Sequence, residues 1–578
     1  MFFILLWLIL SVFLQSVYRF HFYHIEQYRL FLFDGDYLFS ALQKTGGLSL
    51  LIGEFLTQFF IYPYAGALIT SVLPAGAGVL LRIIFRRMDG GLTGGYLRSL
   101  LPVFSLLFIQ LDFNYFIQGT VAYLMALLCL CVYGKIGNVR GRAAYAVLSA
   151  FLLFWWGGSV AVLFVISVFA GEWLSAPSRC RLFLVPCAEV LLLAFLSVRY
   201  AFVGEYRFAL LPDMYYQEAL KPPGILLYMP WILLPLSMAA GRLLRSVKTR
   251  GGKKRYAGIL LRTVLAGSAF FYGLEAYGDR RSLKFKEMEY HCRNRRFDRI
   301  IEMNRGEISN YLYLCFLNLA LAEKGELAGR MFTFDQKGPQ SLFIPMNNSH
   351  VSSMLLCDIY YAIGHTGAAM QMAFEANVGS PGHRTGRMLQ RLVETNLICG
   401  EYAVAEKYIA LLEKSLYYRN WAKGMRRYLG DDEAVSRNPE LGKRRRSLPA
   451  ANFLFSAQPR DRDLISLSVS NPDNRTAIEY AGAMYLLMKQ STLFGELIDK
   501  YLGTEALPGL PLSFQEAVIV LNENDPASWR EKGVSRPVIA RFEQYKRFIL
   551  ENRNKPRVAD YVKKSFGDTY WYYFMFKQ

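Results

Sequence analysis

The sequence predicts an all-α chain in two parts: a polytopic membrane bundle of about nine spans, then a domain of stacked helical repeats. Three observations predict it. Charge is unevenly divided, with 12 Asp/Glu and 23 Lys/Arg in residues 1–278 against 34 and 43 in residues 279–578. The first part carries nine long apolar stretches, and the second repeats a helical pattern at offsets of 42 and 33 residues. At 578 residues, 53% hydrophobic and 19% charged, the chain is too apolar for a disordered protein or a wholly soluble enzyme and too long for a disulfide-stapled miniprotein.

A helix needs about 20 apolar residues to cross the hydrocarbon core. The candidate spans are 1–19, 63–85, 97–112, 118–134, 143–157, 158–175, 182–199, 223–241 and 257–275. The pair across Trp155-Trp156-Gly157-Gly158 also reads as one long helix, which lowers the count by one. The first stretch lacks a cationic start and a small-residue cleavage site, so it reads as a retained span. With the N-terminus in the cytoplasm, the inside loops hold 17 bases and two acids, Asp89 and Glu172. The outside loops of the same part hold six bases and nine acids. Bases retained inside orient the bundle and place the second part outside the cytoplasmic (inner) membrane. The net charge of +20 is therefore largely topology, and it is no argument for nucleic acid. The cationic run at 242–255 faces anionic lipid.

The first outside loop, 21–62, holds two aromatic amphipathic pieces that suit the membrane interface. Asp34-Gly35-Asp36 falls in the first piece and Glu54 in the second. The next outside loop holds Asp112-Phe113-Asn114, and the loop at 199–222 holds Arg199 and Arg207. A carboxylate at an interface serves as a general base, two or three together hold a hard divalent cation, and arginines suit phosphate. Each acid also has a plain structural explanation, because outside loops are acid-rich and Asp-Gly-Asp is ordinary turn chemistry. Glu189 lies inside the seventh stretch, where a carboxylate is costly and marks a functional position unless it reaches the interface.

This layout resembles the C-type (GT-C) integral-membrane glycosyltransferases over about residues 1–240. The resemblance implies a polyprenyl-phosphate-linked sugar donor and an acidic base or metal ligand in the first outside loop. Asp34 or Asp36 matches that acid, Asp112 matches the acid of the next outside loop, and Arg199 and Arg207 match the donor-contacting loop. Asp112-Phe113-Asn114 departs from the Asp-x-Asp pattern, which leaves dependence on a divalent cation open.

In the second part, CFLNLALAEKGELAGRMF (315–332) overlays CDIYYAIGHTGAAMQMAF (357–374), with Gly325 on Gly367. LVETNLICGEYAVAEKYIALLEKSL (392–416) places Gly400 on the same glycine. The small-aromatic-small spacing of Gly400-Glu401-Tyr402-Ala403-Val404-Ala405 resembles a tetratricopeptide helix-turn-helix. Such units stack because one helix pair cannot bury its own apolar face. The reading divides residues 279–430 as repeats, 431–450 as a basic polar linker around Lys443-Arg444-Arg445-Arg446, and 451–578 as a helical region. The aromatic tail TYWYYFMFKQ requires a cover. The phrases EMEYHCRNRRFDRIIEMN and ETNLICGEYAVAEKYIALL resemble a bacterial family of multi-spanning membrane proteins with no assigned function. Eight cysteines show no zinc spacing and read as packing residues. His21 and His24 lie near the acidic loop and read as bystanders.

Three functions remain open. The first is a GT-C-like transferase, with a protein or glycan acceptor in the repeat groove. The second is a membrane-anchored scaffold for envelope assembly. The third is a transporter centred on Glu189.

Overall fold

The computed structural model describes residues 2–89, 95–175, 177–218, 220, 222, 224–244, 253–347, 349–449 and 460–577. Lys221, most of the cationic run at 242–255 and most of the glycine-rich turn at 90–95 lie outside them. The described residues form helices, turns and isolated bridges, without a strand. They fall into two units: unit 1 is Met1–Lys286 with Lys414–Tyr417, and unit 2 is Glu287–Glu413 with Tyr418–Gln578.

Unit 1 contains α1 (Phe2–Glu26), α2 (Gly35–Leu42), α3 (Gly47–Thr57), α4 (Ala65–Asp89), α5 (Gly95–Gln110), α6 (Ile117–Tyr133), α7 (Val139–Trp156), α8 (Val160–Ser175), α9 (Leu184–Arg199), α10 (Tyr206–Leu210), α11 (Met229–Leu244) and α12 (Lys253–Tyr277). Each of the nine apolar stretches is a helix. Among the described residues, three segments, Phe2–Glu26, Ala65–Arg87 and Cys180–Arg199, are long and apolar enough to cross a membrane. Five others are only 16–18 residues long, short of the usual span of about 20. Ile4, Leu5 and Val12 on α1 and Leu191, Leu192 and Phe195 on α9 remain exposed, an apolar surface that water disfavours.

One detail agrees with the separate stretches 143–157 and 158–175, and one departs from the sequence reading. The Trp155–Gly158 segment breaks into two helices, because Gly158 is left-handed at φ +90°; a Cβ there would sit 2.5 Å from Met214 Sδ. The first helix does not end at residue 19. It kinks at Tyr18 and runs on to Glu26, burying His21 and His24.

In unit 2 one turn recurs. Helices ending at Arg293, Glu323, Ile363, Cys399 and Leu487 each turn through a left-handed residue: Arg295, Gly325, Gly364, Gly400 and Lys489. In each, an amide donates to a carbonyl five residues back: Arg296 to His291 (2.8 Å), Glu326 to Leu321 (2.8 Å), His365 to Tyr360 (2.9 Å), Glu401 to Asn396 (2.9 Å) and Gln490 to Tyr485 (2.9 Å). This is the Schellman closure, which satisfies carbonyls that a helix end leaves open. The turn glycine of the second copy is thus Gly364 (φ +92°). Gly367, paired with Gly325 and Gly400 in the sequence overlay, lies inside the helix that follows.

The basic stretch at 431–450 is helical over Asp432–Arg437 and Pro439–Arg446. Asn438 Oδ1 accepts from the amides of Glu440 (3.0 Å) and Leu441 (2.9 Å) ahead of Pro439, a standard helix start. Its cations close other helix ends: Arg444 donates to the Ala362 carbonyl (2.5 Å) and Arg445 to that of Ile398 (3.2 Å). The aromatic tail forms the helix Tyr570–Phe576. It docks within unit 2, where Trp571 Nε1 donates to the Glu516 carbonyl (2.9 Å) and Tyr573 Oη to that of Leu487 (2.8 Å). All eight cysteines are free thiols, with Cys292, Cys315 and Cys357 buried.

Candidate functional site

The helix ends of unit 1 gather into two groups. At one end, four loops are tied together. The Gly46 amide donates to the Trp155 carbonyl (2.8 Å), and Gln118 Nε2 to the Gly46 carbonyl (3.3 Å). The Phe116 amide donates to Tyr215 (2.9 Å), and Tyr215 Oη to the Gly157 carbonyl (2.7 Å). At the other end, Arg87 donates to the Cys131 carbonyl (2.6 Å), while Arg142 (2.5 Å) and Tyr133 (2.7 Å) both donate to Glu172. The first group holds Asp112 and Asp213, and the second holds Arg87, Arg142 and Glu172.

The predicted residues meet different fates. Asp34 pairs with Lys414 (2.9 Å), within unit 1. Asp36, in the first turn of α2, is exposed, and no described residue bonds or pairs with it. Glu54 is buried; Tyr37 donates to it, and Arg29 lies 4.0 Å away with its guanidinium 3.6 Å above the Phe116 ring. Burial holds the Arg29 guanidinium below its ordinary value, against the pull of Glu54. Asp112 is held by Tyr216 (2.8 Å) and by the Asn114 amide (2.9 Å). Burial pushes the Asp112 carboxyl up, against those hydrogen bonds, and nearby Asp279 adds to the rise. Arg199 is exposed at the end of α9, and Arg207 pairs with Glu205 (2.8 Å). Glu189 is half-buried in α9, one oxygen without a partner. Asp34, Glu54 and Asp112 are therefore held by separate partners. Among the described residues, no group of three or more His, Cys, Asp or Glu is placed to hold a metal ion.

Sequence reasoning missed a buried polar cluster beside this face. Lys286, 1% exposed, donates to Asp279 (2.8 Å) and to His21 Nδ1 (3.1 Å). An ammonium only donates, so Nδ1 accepts and His21 Nε2 carries the proton that reaches the Gln110 carbonyl (3.0 Å). His21 is thus a satisfied structural histidine. Its partner lies 265 residues away, and no local signal links them.

A second charged cluster lines a cavity of about 210 Å³ in unit 2. Arg387 donates to Asp358, and Arg391 to Asp358 (3.2 Å) and Glu394 (2.9 Å). Arg295 reaches Glu440 (2.7 Å) and Glu323 (3.3 Å). Burial opposes the charge of Arg387, but Asp358 and Glu289 outweigh it and hold the guanidinium above its ordinary value.

A family model described as a family of unknown function (DUF6057) matches residues 1–577. The chain belongs to that family. The match runs through both units. No curated protein and no solved structure matches the chain.

Proposed function

We propose that the chain is a bacterial inner-membrane protein with nine crossings, a cytoplasmic N-terminus and an extracytoplasmic tetratricopeptide-like unit 2. It transfers a sugar from a polyprenyl-phosphate donor to an extracytoplasmic protein or glycan, as GT-C enzymes do. The observation that supports this best is the joining of loops 43–47, 111–118, 155–160 and 211–217 at the acid-rich end of unit 1. In this reading Asp36, the exposed carboxylate, takes the proton from the acceptor hydroxyl. The acceptor oxygen then bonds to the anomeric carbon as the bond from that carbon to the phosphate oxygen breaks. The polyprenyl phosphate leaves with the electron pair, and Arg199 and Arg207 hold its charge. Asp34 and Lys414 fix the start of α2, while Glu54 and Asp112 brace the loops.

A second reading, a membrane-anchored scaffold for envelope assembly, draws on the repeated hairpin turn of unit 2. A transporter is the third, and it draws only on Glu189. Mass spectrometry of envelope glycans in a deletion strain separates them. The transferase predicts a missing glycan restored by wild type and by Asp34→Asn, but not by Asp36→Asn at equal protein level. Unchanged glycans on deletion sink it.

A further inference from the structure

We propose that one helical hairpin of unit 2 docks through its tip on an anionic phospholipid surface. The hairpin is made by the helices Arg536–Asn552 and Val558–Phe566, joined by a turn at 553–557. Each helix buries one side, through Val538, Phe542 and Tyr545 in the first and Val562 and Phe566 in the second. Contacts of the Phe566 ring with Tyr545 (5.4 Å) and Phe548 (5.7 Å) hold the two together. The opposite sides and the turn are left exposed.

Charge on that outer surface is unbalanced. Three cations of these helices find carboxylates: Arg541 pairs with Asp568 (2.7 Å), Lys546 with Glu523 (2.8 Å) and Lys563 with Glu307 (2.5 Å). Arg547, Arg553, Lys555, Arg557 and Lys564 are exposed, and their side chains have no ion pair or hydrogen bond with a described residue. The acids among them are Glu551 and Asp560. Cations alone would describe any solvated basic face. Two apolar side chains set this one apart: Leu550 is 62% exposed and Tyr561 43%, with Lys555 Nζ 5.2 Å from the centre of the Tyr561 ring. A lipid surface meets all of these groups at once. Its phosphates take the cations, its headgroup layer suits the tyrosine, and its acyl boundary takes the leucine. A soluble anionic polymer would answer the cations and leave Leu550 in water. An apolar protein groove would bury Leu550 and strand the cations. The inference stands on unit 2 alone and does not depend on the proposed transferase.

The test holds the full-length protein in phosphatidylcholine nanodiscs and mixes it with sucrose-loaded liposomes. The bound fraction is read after centrifugation. Liposomes of phosphatidylcholine alone are compared with liposomes that also contain phosphatidylglycerol. The expected result is binding to the anionic liposomes only. Each cation at such a surface strengthens partitioning roughly fivefold, so Arg553→Gln, Lys555→Gln and Arg557→Gln together should weaken binding about 10²-fold. Leu550→Ser should weaken it about tenfold at unchanged charge. Lys407→Gln, Lys423→Gln and Lys500→Gln together remove the same charge from exposed positions elsewhere in unit 2 and should leave binding near that of wild type. All seven side chains are exposed, so melting temperatures should stay level. Asp36→Asn should bind as wild type does, which keeps a failed transferase distinguishable from a failed lipid surface. Indifference of wild type to phosphatidylglycerol overturns the inference. So does a loss in the control triple as large as in the tip triple. Wild-type binding by Leu550→Ser overturns it too, since the partner would then be an anionic polymer met by charge alone.

Discussion

Glu516 makes unit 2 sensitive to pH in a way a single substitution removes. Its carboxyl is 2% exposed, beneath the C-terminal aromatic helix, and accepts the Tyr570 amide (2.7 Å). Burial pushes it up to about 8 from 4.5; the Tyr570 amide and then Arg541 pull the other way. The folded chain thus keeps a proton that the unfolded chain releases. Its stabilising effect is complete below about pH 4.5 and is lost as pH rises through about 8. In that window stability falls by about 1.4 kcal/mol per pH unit. Between pH 5.5 and 7.5 this one group accounts for about 3 kcal/mol, or roughly 5–10 °C in melting temperature. Glu516→Gln keeps the shape and the acceptor for Tyr570 but cannot ionise. The assay is thermal unfolding of the full-length protein, read by tryptophan fluorescence at half-unit steps of pH. Wild type should lose stability relative to Glu516→Gln as pH rises, with the gap widening by the stated amount. Parallel curves for the two proteins would show that Glu516 does not hold a proton in the folded chain.

Other outcomes follow from local geometry. Gly364→Ala forces a left-handed alanine, at about 1–2 kcal/mol, and also places its Cβ 3.1 Å from Asn474 Nδ2 and Ser447 Cβ. Gly400→Ala meets only Arg445 Nη2, at 3.5 Å, so thermal unfolding should show Gly364→Ala the more damaging by about 1 kcal/mol. Arg142→Ala strands Glu172, 3% exposed, with Tyr133 alone; detergent melts should show a loss of about 3–5 kcal/mol, against about 1–2 for Tyr133→Phe. Tyr216→Phe removes one donor from Asp112; it should cost about 1–3 kcal/mol and lower transfer activity more than Asp34→Asn does.

Much of the fold was legible because it depends on local pattern. All nine apolar stretches are helices, since an apolar run of that length has no better use for its backbone hydrogen bonds than an α-helix. What they do in a bilayer was less legible, because five stop at 16–18 residues. The end of α1 was misread because Arg19, His21 and His24 look like loop polarity. The distant Lys286 and the Gln110 carbonyl absorb His21 inside the unit. The repeat register slipped by three residues because Gly364-His365-Thr366-Gly367 offers two glycines, and only the chain's hydrogen bonding selects Gly364. The helix at 439–446 was hidden by charge counting, although Asn438-Pro439 is a readable helix start.

At the candidate site, the sequence did not show which side chains meet. Loop sides follow from loop charge and chain alternation, which are sequence properties. Asp112 meeting Tyr216, or Asp34 meeting Lys414, depends on residues 104 and 380 positions apart. The arginine and carboxylate cavity of unit 2 has the same origin. Glu323, Asp358 and Arg387 look like solvent charges one by one, and only the stacking of hairpins brings them together.

The most direct test of the central claim is sugar transfer by the purified protein. The protein in detergent is given a polyprenyl-phosphate hexose labelled in the sugar, together with envelope extract from the deletion strain. Movement of label from lipid to water-soluble or protein-bound glycan is followed over time. Wild type should transfer the label, and Asp36→Asn should be about 10²- to 10⁴-fold slower. Label that stays on the lipid with wild type, or moves equally fast with Asp36→Asn, contradicts the claim.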